Sequence, residues 1–208
     1  IFRIGLPSAV QSMLFSGISM VIARLIAGWG DAAVAVQKVG SQIESISWMT
    51  AEGYAAALNS FVAQNHGAKN TDRIREGYRL SMIVMLSWGV FCSLVLIVFP
   101  QLIFQVFIQE AEVLPMGVDY LRILGVSQLF MCMEITTAGA FSGLGKTLPP
   151  SIVSITLTGA RIPMAILLGR WLGLNGVWWA ITISSIGKGI VLLGWFLKDM
   201  KRAGMPER

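Results

Sequence analysis

Apolar runs of about 20 residues recur along the whole chain, separated by short stretches carrying glycine, proline or charge. A run of that length is what a helix needs to cross a hydrocarbon core of about 30 Å. The pattern predicts six spans, at 4–28, 33–65, 77–100, 112–142, 151–171 and 177–197. The expected fold class is an all-α membrane protein, a six-transmembrane-helix bundle forming one unit over residues 1–208.

The second span departs from the others. It carries Gln37, Lys38, Gln42, Glu44, Glu52, Asn59 and Gln64 within a stretch long enough to cross a bilayer. An ionisable side chain near the bilayer centre costs roughly 2.5–3.5 kcal/mol on insertion scales. Such a helix is tolerable only where these groups face other helices or a water-filled cavity. The span is therefore read as the polar wall of a cavity, with more apolar spans around it. At 1.5 Å per residue it is about 50 Å long, so it must tilt, bend or protrude, and Gly40 and Gly53 are its candidate weak points.

The remaining spans follow simple signals. Gly28-Trp29-Gly30-Asp31 breaks the first, and His66 to Lys69 ends the second, with His66 in the loop. Residues 69–79 form a basic loop, the third span is nearly pure apolar material, and residues 100–115 read as an interfacial connection. The fourth span carries Asp119, Arg122, Gln128 and Glu134, and its Gly139 and Gly143, four apart, permit close helix contact. Pro163 should kink the fifth span. Trp178 and Trp179 open the sixth as interfacial anchors, and Lys188 lies inside it.

Composition and charge sharpen this picture. Of 208 residues, 55% are hydrophobic and 13% charged, against about 25% charged in a soluble domain. The net charge of +5 does not point to nucleic acid, because the basic residues sit mostly between spans and at the C-terminus. Arg3, Lys69, Arg73, Arg75, Arg79, Lys146, Lys198, Lys201, Arg202 and Arg208 fall on one side of the predicted membrane; the opposite connections hold Arg170 with Asp31, Glu110 and Glu112. By the positive-inside rule both termini are expected in the cytoplasm, with basic groups able to attract anionic membrane lipid. Cys92 and Cys132 lie in different spans without metal or redox spacing and read as inert thiols. There is no HExxH or G-x-S-x-G pattern, so no enzyme, catalytic residue, cofactor or resident metal is expected. The chain starts at Ile1 and has no internal repeat, so it is expected to be one half of a longer two-part transporter.

Several segments carry a resemblance. The chain opens with Gly5-Leu-Pro7 and continues AGWGDAAVAV, then QIESISWMTAEGYAAALNSFVAQNHGAK into RIREGY. Later come ITTAGAFSGLGKTLPP, RIP and GLNGVWWAITIS. The most specific pieces are Ala63 to Ala68, Gly143 to Thr147 and Gly176 to Ala180, in order and suitably spaced. Together they resemble the C-terminal lobe of a multidrug and toxic compound extrusion (MATE) transporter across essentially the whole chain. The resemblance implies twelve spans in two six-helix lobes around a V-shaped cleft. It implies a secondary antiporter that exports organic, often cationic, drugs or toxins in exchange for H+ or Na+. The expected partner is the N-terminal lobe, and the expected location the cell membrane, the inner membrane of a bacterium. Relatives of the NorM type carry a Glu in the first span of this lobe, where this chain has Phe15. That departure brings the chain closer to the DinF type, whose main coupling acid is thought to lie in the N-terminal lobe.

Candidate site residues follow from depth. Glu44 lies roughly 16 Å in, and Arg122, Arg161 and Lys188 share its layer, with Glu134 deeper along its span. Glu44 reads either as a proton or cation carrier or as half of a structural pair with Arg122 or Lys188. Glu134 reads as a second acid of the site or as a pairing group. Arg161 and Lys188 could neutralise these acids, and Gln37, Gln42 and Asn59 could line the cleft or bond between helices. Glu52 could gate or pair. Two alternatives remain open: a flippase for lipid-linked oligosaccharide, for which Arg122, Arg161 and Lys188 would meet pyrophosphate, and a non-transporting half that acts as an interaction module.

Overall fold

A computed structural model of the chain describes residues 2–108, 110 and 112–202. Ile1, Gln109, Ala111 and 203–208, including Arg208, lie outside the described residues, as do the side chains of 2–8 and 202. The described residues form α-helices: α1 (Phe2–Ala27), α2 (Asp31–Gly67), α3 (Thr71–Val98), α4 (Pro100–Gln105), α5 (Leu114–Gly125), α6 (Gln128–Gly143), α7 (Leu148–Gly159), α8 (Arg161–Leu172) and α9 (Leu174–Arg202). Among the described residues, four stretches are long and apolar enough to cross a membrane: Ala9–Ala27, Thr71–Val98, Leu148–Leu172 and Leu174–Lys201. A fifth arises if α5 and α6 act as one bent span.

Helix α2 runs unbroken for 37 residues, so neither Gly40 nor Gly53 is a hinge. Gly40 serves packing instead. The Tyr120 ring lies flush against its Cα, where any side chain would collide. The helix begins at Asp31, which puts an acid in the positive first turn. It includes His66 in its exposed last turn, so His66 is helical rather than in a loop.

The basic stretch after α2 is mostly helix as well. Asn70 caps α3, its side chain accepting from the Arg73 amide at 3.3 Å. Arg73, Arg75 and Arg79 thus ride on the first turns of α3 rather than in a loop. The outer face of α3 exposes Leu80, Ile83, Val84, Phe91 and Leu94, as suits contact with lipid tails.

Gly139 and Gly143 do bring α6 onto α2. A Cβ at Gly139 would stand 2.7 Å from the Ala55 carbonyl oxygen, and one at Gly143 would stand 2.6 Å from that of Asn59. Helix backbones approach this closely only over small residues.

The predicted fourth span is broken. Helices α5 and α6 meet at 45° across Val126 and Ser127. A bend of this kind frees carbonyls that must find other donors. Here Thr182 Oγ1 donates to Ile123 O at 3.1 Å and Ser93 Oγ to Gly125 O at 2.7 Å, while Leu124 O takes both the Ser127 amide at 3.0 Å and its hydroxyl at 2.9 Å.

The predicted fifth span is also jointed, between α7 and α8 at Ala160. Pro163 accounts for it: it offers no N–H to the Gly159 carbonyl, and its ring crowds that turn. Gly173, at φ 63°, closes α8 and turns the chain into α9.

Candidate functional site

Two polar layers cross the interior. The first involves α2, α5 and α9. Trp178 is fully buried, so it is not an interfacial anchor. Its indole N–H donates to Gln37 Oε1 at 3.0 Å. Its ring meets Tyr120 edge-on, with centroids 5.1 Å apart at 88°. A buried indole needs such a partner, and Gln37 supplies it across the helix interface rather than lining open space.

The second layer joins α2, α6, α8 and α9. Glu44, one turn beyond Gly40 on α2, accepts a hydrogen bond from Gln128 Nε2 at 3.2 Å. Gln128 is fully buried at the start of α6, just past the bend. Lys188 Nζ pairs with Glu134 Oε2 at 3.0 Å, with side chains 9% and 15% exposed. Arg161, the first residue of α8, directs its fork at α9: Nε donates to Ser184 Oγ at 2.5 Å and Nη2 to Ser185 Oγ at 3.0 Å. Ser184 and Ser185 lie one turn before Lys188, which gathers the two cations on one side of α9. Arg161 and Lys188 each interact electrostatically with both Glu44 and Glu134. Two acids and two bases thus share one buried region.

Glu134 is held by a cation, and Arg161 by two hydroxyls, whereas Glu44 bonds only a neutral amide. Near Glu44 the polar atoms are not all satisfied. Tyr120 Oη and Gln128 Oε1 are buried and lack hydrogen-bond partners among the described residues. Buried groups of that kind call for a partner such as water or an ion.

The other predicted residues stand apart. Arg122 is exposed on α5 and forms no ion pair with Glu44. Its neighbours Leu121 and Ile123 take the buried positions, so equal depth did not bring the two charges to one face. Glu52 and Gln42 are exposed on α2. Asn59 is half-buried, and its carbonyl forms part of the close contact with Gly143. Among the described residues, no group of three or more His, Cys, Asp or Glu side chains is gathered as for a metal ion.

Sequence reasoning missed Ser184, Ser185, Tyr120 and the role of Gln128. The serines had a signal, since they precede Lys188 by three and four residues on a helix. Tyr120 had none, because its aromatic ring reads as ordinary core.

Comparison with known proteins places the chain. Residues 7–167 match the MatE family. A probable multidrug resistance protein NorM of Thermotoga maritima is 30% identical over 212 residues, covering 98% of this chain and 45% of that protein. A multidrug resistance MATE family transporter of the MOP superfamily, solved in inward-facing and outward-facing conformations, superposes with a TM-score of 0.88 in both cases. The identity is 20% and 21%, and all of this chain matches 49% and 47% of those chains. The chain therefore spans about half the length of the relatives it matches. It is a multi-pass membrane protein and belongs to the MatE family of multidrug and toxic compound extrusion transporters.

Proposed function

We propose that this chain is the C-terminal six-helix lobe of a twelve-helix antiporter, with both ends in the cytoplasm and the half-buried Glu44 turned toward a cleft shared with the N-terminal lobe. The six spans are α1, α2, α3, the bent pair α5 and α6, the jointed pair α7 and α8, and α9. The complete protein exports organic, often cationic, compounds across a bacterial inner membrane in exchange for H+ or Na+. Coupling follows the DinF type, since Phe15 stands where the NorM type has its acid.

One observation carries this reading. Glu44 is the acid of the cluster left without an ion-pair partner, because Glu134 has Lys188. A carboxylate so placed exchanges a proton for a cation with little rearrangement around it, and the two cations nearby make simultaneous occupation costly. The near-equal fit to inward-facing and outward-facing structures agrees with a lobe that rocks as a body. Arg161 and Lys188 have partners within the chain, which leaves them poorly placed to meet the pyrophosphate of a lipid-linked sugar.

The test is efflux of a cationic dye from vesicles under an imposed pH or sodium gradient. The chain joined to its N-terminal half is compared with the same protein carrying Glu44→Gln. Gradient-driven efflux lost in the variant supports the assignment. Unchanged efflux, with unchanged ion dependence, removes Glu44 from the mechanism. Competition by lipid-linked oligosaccharide but not by dyes would replace the antiporter with a flippase.

A further inference from the structure

Gln128 presents Glu44 with two opposite hydrogen-bonding groups on one planar amide. Its Nε2 donates to Glu44 Oε1 at 3.2 Å, whereas its Oε1 is buried without a hydrogen-bond partner among the described residues. The side chain is fully buried, so bulk water is kept from that oxygen. A donor arriving at the site would remove a standing cost. The orphan oxygen shares a carbon with the nitrogen that already touches Glu44, so it lies within one amide's width of the carboxylate. Glu44 is only half-buried, so ions can reach it. The titratable and charged groups around it are Tyr120 of α5, Arg161 of α8 and Lys188 of α9, with Glu134 of α6 held by Lys188. Arg161 and Lys188 disfavour any added positive charge, whether proton or metal ion, so they do not choose between the two. The choice falls to the groups that touch the carboxylate.

We propose that Glu44 is a proton site closed to sodium, and that Gln128 is the residue that makes it so. Protonated Glu44 keeps the bond from Nε2 and donates its new O–H to Oε1, an acid–amide pair joined at two points. The inference rests on Glu44 as the exchanging acid, and it goes further by choosing between the two coupling ions. The step is balanced: a proton from bulk water adds to one carboxylate oxygen, giving a neutral acid, and no electron moves. Size decides the preference. The bond already made holds amide and carboxylate 3.2 Å apart at one point. An O–H···O bond needs its two oxygens about 2.7 Å apart, which suits a gap of that width. A hard metal ion sits about 2.0–2.6 Å from each oxygen it binds and wants several of them, so it would force the edges apart and break the existing bond. It would also meet the positive end of the amide N–H at the carboxylate.

The test is infrared difference spectroscopy between high and low pH on the chain joined to its N-terminal half, in lipid vesicles, with sodium or potassium as the salt. Glu44→Gln identifies the Glu44 carboxyl band. The expected band appears on acidification with the same midpoint in both salts, at the low frequency of a carboxyl whose O–H donates. Gln128→Met, similar in length and volume, shifts it to the higher frequency of a carboxyl without an acceptor, whereas Tyr120→Phe leaves it in place. Because the salt comparison uses the native protein, it does not depend on either variant folding. A midpoint lowered by sodium relative to potassium would overturn the proposal, as would a band that moves in Tyr120→Phe but not in Gln128→Met, or one that moves in neither. No Glu44 band at any pH overturns it too. Only when gradient-driven efflux also survives Glu44→Gln does the assignment of Glu44 itself fall.

Discussion

Lys188 Nζ lies 3.0 Å from Glu134 Oε2, an ion pair that ties α9 to α6 with both side chains largely shielded from solvent. Removing one partner strands the other charge, at about 3–5 kcal/mol, while replacing both with apolar groups is often neutral. Glu134→Gln alone should therefore lower the unfolding free energy of the chain in detergent by about 3 kcal/mol. Glu134→Leu with Lys188→Leu should recover most of that loss. Purely additive effects in a double-mutant cycle would show that the pair carries no coupling.

The close approach of α2 and α6 gives a second prediction. Gly139→Val and Gly143→Val each push a side chain into a backbone carbonyl of α2 and should destabilise by about 1–3 kcal/mol. Gly53→Ala is the control: no atom lies within 4 Å of its added Cβ, so the substitution should stabilise by up to about 1 kcal/mol. Thermal unfolding in detergent separates the three. Equal effects would mean that the glycines act through helix propensity alone.

The bend between α5 and α6 depends on hydroxyls from other helices. Thr182→Val keeps the side-chain shape but leaves the Ile123 carbonyl without its donor, a loss of about 1–3 kcal/mol. Hydrogen exchange should quicken in residues 121–131 and stay slow in α2. Uniform quickening along the chain would argue against a local role.

Lys146 and Asp199, 2.6 Å apart, are a contrasting case. Their side chains are 50% and 27% exposed, so water and salt screen the pair. Lys146→Ala should lower stability by less than about 1 kcal/mol, and the difference should fade in high salt. A salt-independent loss of several kcal/mol would mean that Lys146 supports the α6–α7 turn in another way.

Local rules made part of this structure legible. Gly139 and Gly143 announced a helix contact, and Pro163 announced a joint, because each acts through its own backbone. Glu44, Glu134, Arg161 and Lys188 were recognisable as costly intramembrane charges. The partner of Glu44 was not, because depth along a helix says nothing about direction around it. Arg122 has the depth but the wrong direction, whereas Gln128 has both. The bend at Val126 and Ser127 had no proline to mark it. It is held by Ser93 and Thr182, which lie 32 and 59 residues from the carbonyls they serve. Trp178 was misjudged for a related reason: its place at a helix start suggested the membrane surface, but Gln37 and Tyr120 receive it inside.

The unbroken length of α2 has a mechanical consequence. At 37 residues it is a rod of about 55 Å. Its neighbours α5–α6 and α7–α8 are articulated, each with a joint partway along. A stiff strut carries displacement from end to end undiminished, while jointed members absorb it. Any flexing within this half of the protein should therefore collect at Val126–Ser127 and Ala160. Glu44 rides on the strut, whereas Gln128 and Arg161 sit immediately beside the two pivots, so small rotations there would change what Glu44 faces while Glu44 itself stays in place.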